Sequence, residues 1–309
     1  MKIAVLESYS VNALARLKAK AEITEQRSEA EIALIRSQTK IDAYFLDQTP
    51  KLKLVISATS GFDHIDWREC QKRGITVSHT PEANAQSAAE LTLALILAWE
   101  RQILPAHRNV KDNRWRDGLP RPQGLEGQAL GIVGLGRIGK KVARLAQALG
   151  MQISVFDPYI EDEVFRTHHA ERLSLIELLK ANDYVSLHVP HTKETHHLLN
   201  NPTFNEMQGE AILINTCRGA VVDENALLTA LDEGTIAGAA MDVIEREPPP
   251  KGHRVLTHPK LLLTPHIGAY TTSAWEKASR EAVDKALAFI EGKSIPDQLP
   301  LKTPWFDKT

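Results

Sequence analysis

Cysteine is nearly absent from this chain. Cys70 and Cys217 are the only two in 309 residues, too few for a disulfide framework and consistent with a reducing cytoplasm. Long apolar runs are missing as well. The longest, "AAELTLALILAW" at Ala88–Trp99, contains Glu90 and falls short of the ~20 residues that cross a bilayer. The opening "MKIAVLE" turns acidic at once and has no secretory pattern, so a cytoplasmic location is expected. Neither charge is in excess. The 37 basic and 39 acidic residues leave a net −2, without the basic face that a phosphate backbone demands. Nucleic acid and membrane are therefore not expected partners, and no low-complexity segment or short repeat interrupts the chain.

What is present is an α/β rhythm. The length exceeds the usual single core, so two domains are expected. "KIAVLE", "EIALI", "KLVIS" and "GITVSH" read as strands of a first unit, followed by a long apolar helix over about Asn84–Arg101. The polar passage Asn109–Gly127, with its Trp and Pro, reads as a boundary or an extended arm. Beyond it "QALGIVG", "QISVFD", "DYVSLHV", "AILIN", "IAGAAMDV" and "LLLTPH" read as strands of a larger second unit. A last helix, about Thr272–Glu291, carries Trp275, Ala278, Ala282, Val283, Ala286 and Leu287 on an apolar stripe and stops at Gly292.

The second unit opens with "LGIVGLGRIGKKVARLAQALGMQISVFD", Leu130–Asp157. A lone GxGxxG is weak, since a glycine-rich turn serves many purposes, but here strand, turn, helix and second strand all follow in order. Gly134 permits the tight turn, Gly136 lets the backbone approach a pyrophosphate, and Gly139 lets the helix pack closely. Arg137 and Ile138 open the helix, whose amino terminus offers amides and partial positive charge to phosphates. Ile138, Val142, Leu145, Ala146 and Leu149 form its expected buried stripe. Asp157, 23 residues after Gly134, is placed to accept from ribose hydroxyls and to repel a 2′-phosphate, so NAD is expected over NADP.

Hydride delivery to a carbonyl builds charge on oxygen, and a carboxylate substrate needs a fixed cation. Three polar groups at predicted strand ends answer those needs. Arg218 stands in "INTCRGAVVDE", Glu247 in "DVIEREPP" before a proline run, and His266 in "LLLTPHIGAY" beside Gly268. Taken singly, each has a bland reading as a solvated loop charge or a turn residue. Together, behind a nucleotide fingerprint, they form a constellation.

The ordered motifs "GLGRIG…D", "SLHVPHTKETHHLLN", "INTCRGAVVDENAL", "AGAAMDVIEREPP" and "LLLTPHIGAYT" resemble those of the D-isomer-specific 2-hydroxyacid dehydrogenases over nearly the whole chain. The resemblance implies two doubly wound parallel-sheet domains, with a Rossmann-type NAD domain (99–272) inserted into a flavodoxin-like substrate domain (1–98 and 273–309). It implies His266 as acid/base, Glu247 as its partner and Arg218 as the carboxylate anchor, with backbone amides of Thr59, Ser60 and Gly61 on the same carboxylate. His188, Pro190, Thr195, Thr216, Cys217, Asp242 and Gly268 match positions around the cofactor, Asp242 facing the carboxamide. Cys217 reads as a small space-filling residue under the nicotinamide.

"LIRSQTKID", "SGFDHID" and "TPEANAQSAAELTLALILAWERQ" are most similar to the D-3-phosphoglycerate dehydrogenase branch, in a short form lacking its regulatory carboxy-terminal extension. That implies a phosphorylated substrate, a place in serine biosynthesis and a second anion site at Arg36, with Ser37 and Lys40 behind it. Ser57, where some members carry a basic residue, and Glu82-Ala83, in place of a common Asn-Gly, depart from this branch. Glyoxylate, hydroxypyruvate and other 2-oxo acids are the alternative, and formate- and phosphite-oxidising relatives share the scaffold. A homodimer built around Asn84–Gly127, with Trp99 and Trp115 as anchors, is also implied.

Of another class is an NADH-binding sensor or corepressor, although the chain has no long polar tail or arm. No metal is expected, because "HTKETHH" and His168-His169 lie in polar, loop-like sequence without a helical i, i+4 pair.

Overall fold

The computed structural model describes residues 1–306, and the chain divides into two compact units, residues 1–85 with 269–306 and residues 86–268. The first contains β1 (Lys2–Val5), α1 (Val11–Lys18), β2 (Glu22–Ile23), β3 (Ile32–Ile35), α2 (Ala43–Asp47), β4 (Leu54–Ser57), α3 (Trp67–Lys72) and β5 (Thr76–His79). Its all-parallel sheet has the order β2-β1-β3-β4-β5, the flavodoxin-like winding. Every residue of β3 and β4 is buried, as a strand covered on both faces requires. Side chains of Ser10, Asp42 and Asp66 cap the three helices by accepting amides of their first turns.

The final helix, Thr272–Ile290, joins this first core. Its Ala278, Ala282, Val283, Ala286 and Leu287 pack in one cluster with Ile3, Leu17, Ile32 and Leu54. The Ser10 amide donates to Ser279 Oγ at 3.1 Å across 269 residues of sequence. Trp275, expected on the same stripe, is only half-buried.

The second unit begins with α4 (Ala85–Glu100) and α5 (Ile103–Lys111). Then come β6 (Ala129–Val133), α6 (Arg137–Ala148), β7 (Gln152–Phe156), α7 (Asp162–Thr167), β8 (Glu171–Arg172), α8 (Leu175–Ala181) and β9 (Tyr184–Leu187). The last elements are α9 (Asn201–Phe204), β10 (Ile212–Asn215), α10 (Glu224–Glu233), β11 (Gly238–Met241) and β12 (Leu261–Leu263). All strands are parallel in the order β12-β11-β10-β9-β6-β7-β8, the Rossmann winding. Alternate residues serve opposite faces: Leu213 packs with Val185 and Leu187, whereas Ile212 and Ile214 pack with Ile132 and Val142.

Several local expectations need correction. The division falls at 85/86 and 268/269 rather than at 98/99 and 272/273, because Ala89, Leu93, Leu95 and Ile96 of α4 pack in the second unit's core. Trp99 belongs to that core too; a Cβ on Gly238 would lie 2.0 Å from its indole, so the missing side chain makes its room. Leu149, which caps α6, is exposed, and Ala143 is buried on the helix instead. A helix that local patterning does not announce, α5, leads into the polar passage and starts after Gln102 in the left-handed region at φ 51°.

Candidate active site

In the second unit the strand order reverses between β6 and β9, the point where such sheets bind ligands. Gly134 follows β6 at φ 95°, and a Cβ there would meet the His188 carbonyl oxygen at 2.8 Å. Gly139 is equally constrained, its Cβ position lying 2.1 Å from Gly134 O. Gly136 differs. It caps α6, is exposed, and has no protein atom within 4 Å of a built Cβ. That open space before a helix amino terminus is a cradle suited to a diphosphate. Arg137 beside it is exposed, and Ile138 anchors the turn by packing on the core.

Asp157 follows β7 and is tied to the glycine turn, its Oδ2 accepting from Leu135 N at 2.9 Å and its Oδ1 from Tyr159 N at 3.0 Å. His188 is half-buried, with Nε2 2.8 Å from Ser186 Oγ. Burial pushes its pKa down to about 3, so the ring is neutral. Thr195 closes a turn by donating to Pro190 O at 2.6 Å. Thr216 Oγ1 lies 2.8 Å from Thr92 Oγ1, which itself donates to Ala88 O; Thr216 is therefore the donor of that pair. Together these groups fit a dinucleotide: glycine backbone for the phosphates, a carboxylate for the ribose, and an uncharged lining.

Arg218, Glu247 and His266 all fall in this unit, on the segments after β10, β11 and β12. His266 Nδ1 lies 2.6 Å from Glu247 Oε2, so the carboxylate holds the Nδ1 proton and directs Nε2 to any substrate. That hydrogen bond raises the His266 pKa against its partial burial, and the Glu247 charge adds to the rise while the Arg218 charge opposes it. For Glu247, burial pushes upward, but the imidazole, the Ile244 amide and Arg218 together hold the carboxyl below its usual range.

The backbone supports are specific. His266 sits at φ 54°, a conformation costing a non-glycine residue about 1–2 kcal/mol. Asp242, buried, offsets this by bracketing the loop: its Oδ1 accepts from Thr264 Oγ1 at 2.5 Å and Ile267 N at 2.8 Å, its Oδ2 from Gly268 N at 2.8 Å. The sequence resemblance aimed this carboxylate at the carboxamide and gave no sign of its hold on the His266 loop. On the other side, Asn215 accepts from Cys217 N and donates to Arg218 O, fixing the turn. Arg218 Nη1 donates to Cys217 O at 2.7 Å. The Cys217 thiol is buried and pushed up to about 11 by that burial. Gly219 allows the segment carrying Glu247 to approach, since a Cβ would stand 2.0 Å from Ile244 C and O.

In the first unit the order reverses between β1 and β3, and the residues beyond these strands are Glu7 and Arg36. Glu7, which no sequence motif singles out, accepts the amides of Arg36 at 2.7 Å and Thr39 at 3.0 Å on Oε1 and Gln38 at 3.3 Å on Oε2. Arg36 is partly buried, and its Nη1 is buried without a hydrogen-bond partner among the described residues. Burial lowers its pKa. Lys40 pairs instead with Asp42 at 3.5 Å, and Ser37 is exposed. Thr59, Ser60 and Gly61 form the turn after β4.

One cluster was invisible in sequence. His197 Nε2 lies 2.7 Å from Glu245 and Nδ1 3.9 Å from Asp223, three residues able to face one ion, though here the imidazole itself bridges the two carboxylates.

The profile of the D-isomer-specific 2-hydroxyacid dehydrogenase NAD-binding domain matches residues 93–268. The chain is 37% identical over 276 residues to D-3-phosphoglycerate dehydrogenase of Pongo abelii, covering 89% of this chain and 52% of that protein. It is 38% identical over 282 residues to glyoxylate reductase of Thermococcus litoralis, covering 89% and 85%. The chain thus spans about half the length of the first relative. A D-lactate dehydrogenase from Aquifex aeolicus, solved with NAD and lactic acid, superposes with a TM-score of 0.85 at 30% identity, covering 94% of this chain and 96% of that one. The chain belongs to the D-isomer-specific 2-hydroxyacid dehydrogenase family, and its residues 93–268 are the family's NAD-binding domain.

Proposed function

We propose that the protein is an NAD-dependent oxidoreductase that interconverts a D-2-hydroxy acid and its 2-oxo acid. The observation that carries this reading is the 2.6 Å contact between His266 Nδ1 and Glu247 Oε2, within the reach of Arg218's charge. NAD supplies the hydride acceptor or, reduced, the donor. Around it Gly134, Gly136 and Gly139 shape the phosphate cradle, Asp157 meets the ribose, and His188, Pro190, Thr195, Thr216, Cys217 and Gly268 line the cofactor.

During reduction the carbonyl carbon gains hydride, its π electrons move to oxygen, and that oxygen takes the proton from His266 Nε2. Oxidation reverses this, with neutral imidazole accepting the alcohol proton. Glu247 keeps the ring oriented and favours its charged form. Arg218 holds the carboxylate and orients the reacting carbon. The same reading assigns the Thr59-Ser60-Gly61 amides to the substrate acid.

The substrate pair we favour is 3-phosphohydroxypyruvate and D-3-phosphoglycerate, which would put the protein in serine biosynthesis in the cytoplasm. Its support is Arg36, at the first sheet's switch point with Nη1 buried and without a hydrogen-bond partner among the described residues. Glyoxylate or hydroxypyruvate is the second reading, favoured by the charge of Glu7 beside Arg36. No helix among the described residues is long and apolar enough to cross a membrane. Ile103, Leu104, Val110 and Trp115, each more than half exposed, suit a second copy of the chain as partner. The deciding experiment is NADH oxidation against a panel of 2-oxo acids. Preference for phosphohydroxypyruvate supports the first substrate, preference for an unphosphorylated acid the second. No turnover with any acid, despite tight NADH binding, would replace the enzyme reading with an NADH sensor.

A further inference from the structure

The turn Thr59-Ser60-Gly61 has its carbonyls engaged within the first unit. Thr80 N donates to Thr59 O at 3.0 Å, His79 Nδ1 to Ser60 O at 2.9 Å, and Thr59 Oγ1 to Gly61 O at 2.7 Å. The third bond is the end of a longer chain. Ser57 Oγ lies 2.5 Å from Thr59 Oγ1 and 3.0 Å from His64 Nε2. Ser57 closes β4 and is completely buried.

The direction of this chain comes from proton counting. A hydroxyl carries one proton, and a carbonyl oxygen can only accept. Thr59 commits its proton to Gly61 O, so Ser57 must donate to Thr59. Ser57 then has none left for His64, so Nε2 must carry a proton and donate to Ser57. The reverse arrangement, with Ser57 donating to a bare Nε2, would leave two oxygens 2.5 Å apart with no proton between them, a repulsive contact at a buried Ser57.

We propose that His64, protonated at Nε2, is a positioning residue that acts through Ser57 and Thr59 to hold the Thr59-Ser60-Gly61 turn in its substrate-binding form. This rests on the assignment of that turn to the substrate acid. Ser57 thereby has a task of its own at a position where some relatives carry a basic residue. Both the Nε2–H tautomer and the imidazolium satisfy the chain, so its direction does not depend on the second ring proton.

The test compares Ser57→Ala, His64→Leu, His64→Gln and the Ser57→Ala/His64→Leu double variant. Loss of one hydrogen bond in the chain should raise the KM for the 2-oxo acid about threefold to tenfold in either single variant, with kcat and NADH affinity unchanged. The double variant should be no worse than the singles, because both cut one chain. Glutamine, whose amide nitrogen can stand in for Nε2, should restore the KM. Additive KM effects, no rescue by glutamine, or a drop in melting temperature with KM untouched would overturn the proposal while leaving the enzyme reading intact. If the wild-type protein turned over no 2-oxo acid, the activity itself would fall. The chain would still be read by ¹⁵N NMR of histidine-labelled protein. The signal lost in His64→Gln should be protonated at Nε2, and a bare Nε2 would refute it.

Discussion

In the first unit the strand order reverses between β1 and β3, with Glu7 and a partly buried Arg36 just beyond the strands. In the second it reverses between β6 and β9, with a glycine turn and a neutral, half-buried His188 in the corresponding places. The architecture is of one kind, with parallel strands wound both ways from a reversal point, yet the chemistry differs because a few residues beyond the strands differ. A guanidinium whose buried Nη1 has no partner among the described residues invites a compact anion. Missing side chains invite a large ligand to approach the backbone. The unit with the glycines also carries Arg218, Glu247 and His266, so the residues proposed for cofactor binding and proton transfer fall in one unit and Arg36 falls in the other.

That separation can be broken by experiment. The largest effect belongs to His266→Asn: kcat should fall roughly 10²- to 10⁴-fold, while NADH affinity by fluorescence titration stays at the wild-type value. Comparable loss of NADH affinity would mean the loop is structural rather than chemical. Arg36→Gln should act in the opposite manner, raising KM for phosphohydroxypyruvate about 10- to 100-fold and leaving unphosphorylated acids unaffected. Equal effects on both classes would remove Arg36 from a phosphate site. Next come the glycines. Gly136→Ala places a methyl in open space, so melting temperature should hold while NADH affinity drops about tenfold. Gly139→Ala, with its Cβ 2.1 Å from Gly134 O, should lower both. If Gly136→Ala bound NADH normally, the diphosphate would lie elsewhere.

Much of this was legible in the sequence for physical reasons. Runs such as "IALI" and "LVIS" can bury every residue only as central parallel strands. The glycine turn, Asp157 and the Arg, Glu and His segments were legible because close backbone approach and loop charge after a strand are local features. Contacts formed across long sequence separations were not. Nothing near Ser279 indicates that it meets Ser10, and nothing near His197 points to Glu245. The two-residue strands β2 and β8 are too short for an alternation pattern. Asp242 reads locally as a polar residue after a strand. Only the fold reveals that it braces the His266 loop, and only the fold links His64 to Gly61 through two hydroxyls.

In the proposed mechanism Glu247 sets His266 as the proton donor, and the pH dependence of kcat/KM for 2-oxo acid reduction in wild type and Glu247→Gln reads that role. Reduction needs the imidazolium, and Glu247 raises the His266 pKa. Activity in the wild type should therefore persist at low pH and fall as pH rises through a midpoint above the ordinary histidine value of about 6.5. Glutamine keeps an acceptor for Nδ1 but not the charge, so the midpoint should move down. A falling limb at the same pH in both proteins would mean that Glu247 does not set the proton affinity of His266.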